Sequence, residues 1–246
     1  MPYRHDPDLE FLKNVSSSDL DGFVTTLTHD KDGTVRFTET LTSTTEYKRH
    51  HPDHAKYWEL AAAELQGFGA NTFITLLRGG KGVVYKEILC DVCDKLKVNY
   101  NKNAATLVIE QNLIMKIVED AVEKMSTEDV RQMAEEAGVV NFASLSKDAA
   151  LAAFLAVFRA GGFKSYQILV VVVNATLKAL IGRGLGFAAA GGMMRTASVL
   201  TGPVGWVITG LWTAFDIASP AYRVTIPAVI QVAALRQKML VDAKAK

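Results

Sequence analysis

Between Asp148 and Asp242 the chain carries a single acidic residue, Asp216, and inside that interval Thr196–Phe215 runs for twenty residues without a charge. A segment of that length and composition has two outlets: the hydrocarbon of a bilayer, which about 20 apolar helical residues can cross, or the centre of a helical bundle. The charge balance divides at the same place. Residues 1–150 hold 17 Lys and Arg against 24 Asp and Glu, whereas residues 151–246 hold 10 against 2. The net charge of +1 therefore hides an acidic half and a basic, apolar half, and it argues against a nucleic-acid-binding protein. We expect two regions, an acidic helical domain over 1–145 and a basic, apolar, glycine-rich helical region over 146–246.

The apolar spacing predicts an all-α protein, a multi-helix bundle ending in that glycine-rich region. Leu107, Ile109, Leu113, Ile114, Ile117, Val118, Ala121 and Val122 recur at helical intervals. Val83, Val84, Ile88, Leu89, Val92 and Leu96 do the same. Ser126 with Asp129 has the form of a capping box, and Pro203 and Pro220 fall where first helical positions are expected. Pro227 lies inside the last predicted helix, where it should kink it. His29-Asp30-Lys31-Asp32-Gly33 breaks the helical pattern, and the Thr-rich stretch Thr34–Thr45 that follows, open to a helix or a short extended segment, is read as helix, although Thr favours extended backbone.

Within the basic region, Gly182, Gly186 and Ala190 lie four apart, as do Gly184, Ala188 and Gly192. On a helix these small residues make two smooth ridges against which another backbone can approach closely, in a membrane, in a homo-oligomer or in a tight core. Trp206 and Trp212 sit near the middle of the uncharged run, and Thr201-Gly202-Pro203 interrupts it. That pattern suits a re-entrant or surface contact better than a clean span with aromatics at both ends. Asp216 needs a partner if buried, and Arg223 is the nearest cation along the chain toward the C-terminus.

No catalytic constellation emerges. Cys90 and Cys93 have metal or redox spacing but lie mid-helix without a second pair, so packing is the simpler reading. His50, His51 and His54 form a histidine cluster that Pro52 splits, and it reads as a polar lead-in to a helix rather than a metal site. Gly79-Gly80-Lys81-Gly82 lacks phosphate-loop spacing and reads as a turn. No cofactor fingerprint is found, and two cysteines with no apolar leader indicate a cytoplasmic protein, peripheral to or inserted in the cytoplasmic membrane.

The stretches DPDLEFLKNVSSSDLDGFVTTLTHD, YWELAAAELQGFGANTFITLLRGGKGVVYKEILCDVCDKL and GPVGWVITGLWTAFDIASPAYRVTIPAVIQVAALR resemble the bacterial YaaW-like family. That family is distantly grouped with ubiquinol–cytochrome c chaperones, which are assembly factors rather than enzymes. The resemblance implies a helper role and brings no catalytic residue with it. Three readings follow. The first is a non-enzymatic, membrane-associated helical protein, an assembly or chaperone-like factor whose partner is membrane lipid or a membrane protein. A membrane-perturbing or pore-forming effector is the alternative, and a soluble enzyme with a site between the two halves is a minority one.

Overall fold

The computed structural model describes residues 2–37, 39–72, 82–136, 146–160, 166, 169–170, 173–174, 177–178 and 221–244. Among them the chain is all-α, with eight α-helices: α1 (Ser17–Thr28), α2 (Thr45–His50), α3 (Trp58–Thr72), α4 (Tyr85–Lys95), α5 (Thr106–Lys124), α6 (Thr127–Glu136), α7 (Lys147–Ala160) and α8 (Tyr222–Lys244). Short 3-10 turns at Glu10–Asn14, Leu41–Ser43 and His54–Tyr57 link the early elements.

Local chemistry sets the starts of these helices. Ser16 caps α1, its hydroxyl accepting from the Asp19 amide at 3.2 Å and donating to Asp19 Oδ2 at 2.8 Å. The box expected at Ser126 forms: the Asp129 amide donates to Ser126 Oγ and the Ser126 amide to Asp129 Oδ2, both at 3.2 Å. For α4 the cap comes from far away in sequence, because the Tyr85 amide donates to Asp6 Oδ2 at 2.5 Å.

The Thr-rich stretch departs from its expected helix. After α1 the chain folds back in a tight hairpin, with a bridge between His29 and Val35 and with Asp30 Oδ1 accepting from the amides of Asp32 and Thr34, each at 2.9 Å. Gly33 turns the corner at φ +81°, a left-handed conformation that glycine adopts without a steric cost. Helical structure resumes only at Leu41–Ser43. The local Asp30 bonds and the β preference of Thr34 and Val35 outweigh the apolar spacing.

The centre of the bundle is α8. Val224, Ile226, Val229, Ile230, Val232 and Leu235 are at most 1% exposed, and the helix packs against α1, α3, α4 and α5. Two pairs fix its direction on α1: Gln231 Nε2 donates to Thr26 Oγ1 at 2.6 Å, and Lys238 meets Asp19 at 3.2 Å. Seven residues separate the pairs on each helix and their order is reversed, so α1 and α8 run antiparallel along one seam. The Tyr222 hydroxyl to Asp91, 3.2 Å, and the Tyr85 hydroxyl to the Val229 carbonyl, 3.4 Å, set α4 antiparallel to α8 in the same way. Pro227 is accommodated inside α8, which continues past it to Lys244.

Candidate functional site

A buried polar cluster joins four separate parts of the chain. Glu110 on α5 is 2% exposed, and Arg236 on α8 is 15% exposed. Arg236 Nε makes a bifurcated contact to Glu110, 2.9 Å to Oε2 and 3.1 Å to Oε1. Its NH2 group donates to the Asp8 carbonyl at 2.6 Å. The Tyr85 hydroxyl donates to Glu110 Oε1 at 2.7 Å. Below, the guanidinium lies 4.4 Å from the centre of the Phe11 ring, within cation–π range.

Each group is positioned by its own element. Glu110 sits one turn ahead of Leu113 and Ile114 on the apolar face of α5, so the helix delivers it to the core whatever its charge. Arg236 lies past the midpoint of α8, and Asp8 precedes the turn at Glu10–Asn14. The Thr106 hydroxyl steadies Asp8 by donating to Oδ2 at 2.8 Å. Burial pushes the Glu110 carboxyl above the usual carboxylate range, while Arg236 and the Tyr85 hydroxyl pull it back toward the charged form. Burial works against the charge on Arg236 too, but the adjoining Glu110 carboxylate prevails and raises its pKa. With both oxygens occupied and almost no exposure, Glu110 holds the fold together and is not presented to a substrate.

Next to this cluster a small cleft of about 250 Å³, counting the solvent at its mouth, is bounded by Glu110 and Gln111 of α5, Ala233 and Gln237 of α8, and Leu169.

A second polar array lies beside the first half of α1. His54 is turned inward at 2% exposure. Its Nδ1 bonds the Tyr57 hydroxyl at 2.6 Å and its Nε2 bonds Asp21 Oδ1 at 3.1 Å. Burial lowers the imidazole pKa, with Asp21 opposing, and burial raises the phenol of Tyr57. Two of the three histidines meet: His51 lies edge-on to His54 with ring centres 5.6 Å apart and stacks on Tyr47 at 4.8 Å, while His50 ends α2. No cluster of three metal-ligating side chains occurs among the described residues. Cys90 and Cys93 are free thiols on α4, and burial pushes Cys93 up to about 12, leaving it a poor nucleophile.

Of the residues singled out in the sequence, Arg223 stands exposed in the first turn of α8. Gly182, Gly184, Gly186, Gly192, Trp206, Trp212 and Asp216 lie outside the described residues. Sequence reasoning missed Glu110 and Arg236, although a signal was present: each is a charge on a face that is otherwise apolar.

Residues 3–37 match a domain of unknown function, and residues 53–230 match the ubiquinol-cytochrome C chaperone family. A UPF0174 protein of Helicobacter pylori is 56% identical over 238 residues, 97% of this chain and 94% of that one. The chain belongs to the UPF0174 family. Another H. pylori UPF0174 protein is 43% identical over 82% of this chain and 98% of its own length. The UPF0174 protein YaaW of Escherichia coli is 33% identical over 96% of this chain and 95% of its own. No solved structure matches. Mapped on the fold, the two matched segments of this UPF0174 protein interlock: Asp6 and Asp8 from the first bond Tyr85 and Thr106 in the second, and Arg236 closes the cluster from beyond it.

Proposed function

We propose that the protein is a non-enzymatic assembly or chaperone-like factor working at the cytoplasmic membrane, with its acidic helical part in the cytoplasm and its basic, apolar region turned to lipid or to a membrane-protein partner. The observation that carries the reading is the match of residues 53–230 to the ubiquinol-cytochrome C chaperone family. Two features support it. Glu110, Arg236 and Tyr85 are engaged with one another in closing the core, and the Thr196–Phe215 run with ten cations against two acids over 151–246 suits an anionic lipid surface.

The decisive region is not α8. That helix, 23 residues long, is apolar enough to cross a membrane, but 72% of its most apolar stretch is buried inside the protein, as a core helix would be. Flotation of the purified full chain with phosphatidylglycerol vesicles tests the reading. Recovery in the floating fraction, reduced by salt, is the expected result; a protein that stays at the bottom of the gradient at low salt refutes it. The pore-forming alternative predicts release of trapped dye from the same vesicles, which an assembly factor does not cause.

A further inference from the structure

His54 is buried between two unequal supports. On one side is α1: Asp21 bonds its Nε2 at 3.1 Å, and Ser17 fastens the same turn by accepting from the Ala55 amide at 3.0 Å and donating to Asp53. On the other side four rings close a circuit. His54 meets Tyr57 edge-on with centres 5.6 Å apart, Tyr57 meets Tyr47 at 5.4 Å, Tyr47 stacks on His51 at 4.8 Å, and His51 returns to His54 at 5.6 Å. Tyr47 belongs to α2, and His51 caps its C-terminus.

The α2 support is the weaker one. None of its residues is buried, Tyr47 is the apolar side chain that packs it on the core, and Glu46, Lys48 and Arg49 are exposed. Among the described residues, the hydrogen bonds of Thr45–His51 run to partners within four positions along the chain. The helix packs chiefly on the turns at Leu41–Ser43 and His54–Tyr57, whereas α1 buries Leu20, Phe23, Val24 and Leu27 in the core. Local bonds and one half-buried ring place α2 among the least costly parts of the fold to open.

The protonation state of His54 couples to this difference. A neutral imidazole donates from one nitrogen and accepts at the other, which suits Asp21 at Nε2 and the Tyr57 hydroxyl at Nδ1. A second proton makes Nδ1 a donor as well, so Tyr57 must turn its own proton elsewhere, and a charge is left where water is excluded. Asp21 and Asp53 favour that charge and His51 opposes it, but burial outweighs them and lowers the imidazole pKa. The other elements packed on this turn carry Glu59 in α3, and Glu10 and Lys13, which pair with each other, before α1. A buried base of lowered pKa favours, once protonated, the state in which its ring is hydrated. The least anchored cover over His54 is α2.

We propose that α2 is an acid-released flap: protonation of His54 lifts Thr45–His51 from the His54–Tyr57 turn, while that turn stays fastened to α1. The lifted segment presents Tyr47 beside Lys48, Arg49 and His50, a basic run within the acidic half of the chain. Nothing in this device requires a membrane.

Hydrogen exchange of the full chain, followed by mass spectrometry at about pH 7.5 and about pH 5.5 and corrected for the pH dependence of the intrinsic rate, tests it. Peptides over 45–51 are expected to open at least about fivefold more at the lower pH, and those of α1 less than about twofold more. His54→Gln should abolish the acid effect, and His51→Gln should retain it. A second measurement reads the same coupling from the ring, through the His54 titration midpoint followed by NMR. Tyr47→Ala removes the anchor of α2 and leaves both hydrogen bonds of His54 in place, so it should raise that midpoint toward the ordinary 6.5. Equal opening of 45–51 at the two pH values, an acid effect that survives in His54→Gln, α1 opening in step with α2, or a midpoint unmoved by Tyr47→Ala overturns the flap.

Discussion

Arg236 and Glu110 show how much a single charge can matter once the helices have closed around it. Replacing Glu110 with Ala would leave a guanidinium that is 15% exposed without its counter-charge and the Tyr85 hydroxyl with only the Val229 carbonyl, at 3.4 Å. Breaking a buried pair in this way costs about 3–5 kcal/mol, and urea unfolding should show it. Replacing both partners, Glu110→Leu with Arg236→Met, should recover most of that loss, since an apolar pair needs no compensation; a double variant as unstable as Glu110→Ala would mean that the cluster acts through its bonds to Asp8 and Tyr85. His54 gives a prediction in pH. Its folded pKa lies below the ordinary 6.5, so its contribution to stability is complete above about pH 6.5 and is lost as the pH falls from there toward the folded value. Urea midpoints across this range should decline in the parent protein and decline less in His54→Asn; equal slopes would show that another group governs the change. None of the three was identified from sequence as a structural tie. His54 was visible only as one of three neighbouring histidines, because nothing in the spacing reveals that Asp21, 33 positions earlier, faces its ring.

Among the elements, α8 decides whether the others have a core to share. Six of its side chains, Val224, Ile226, Val229, Ile230, Val232 and Leu235, are essentially fully buried. At about 1.5–3 kcal/mol each, their burial is comparable with the whole stability of a typical domain, about 5–15 kcal/mol. A chain ending at residue 221 is therefore expected to lose cooperative thermal unfolding; a sharp transition in that truncation would contradict the central placing of α8. The contact of α3 with α4 is tight in a different way. A Cβ added at Gly69 would come within 2.5 Å of Ile88 Cγ1 and 2.7 Å of Val83 Cγ2, so Gly69→Ala should cost about 1–3 kcal/mol through overpacking, read from the urea midpoint. Helices such as α5 and the box at Ser126 were legible because period and capping are local properties. The hairpin at His29–Val35 was not, because the apolar spacing of Val35, Phe37 and Leu41 imitates a helix while the bonds to Asp30 draw the backbone elsewhere. Just past the hairpin Phe37 is left fully exposed.

At the scale of the whole molecule, the chain closes on itself: its first residues and its last helix meet in one cluster, and Ala150, Leu155, Tyr166 and Leu169 of the basic region are buried in the same core as α8. The all-α class was readable from periodicity, and the family from three quoted stretches. The place of α8 was not, since an apolar helix near the C-terminus has the same composition whether lipid or protein surrounds it. Only the partners on α1, α4 and α5 distinguish the two, and they lie more than a hundred positions away in sequence. The most direct test is the accessibility of α8 in the native protein. Ala234, which is 0% exposed, replaced by Cys in a Cys90→Ala, Cys93→Ala background should react with a thiol reagent only as fast as the whole protein unfolds, with or without vesicles. Labelling at the rate of an exposed thiol under native conditions would contradict the account.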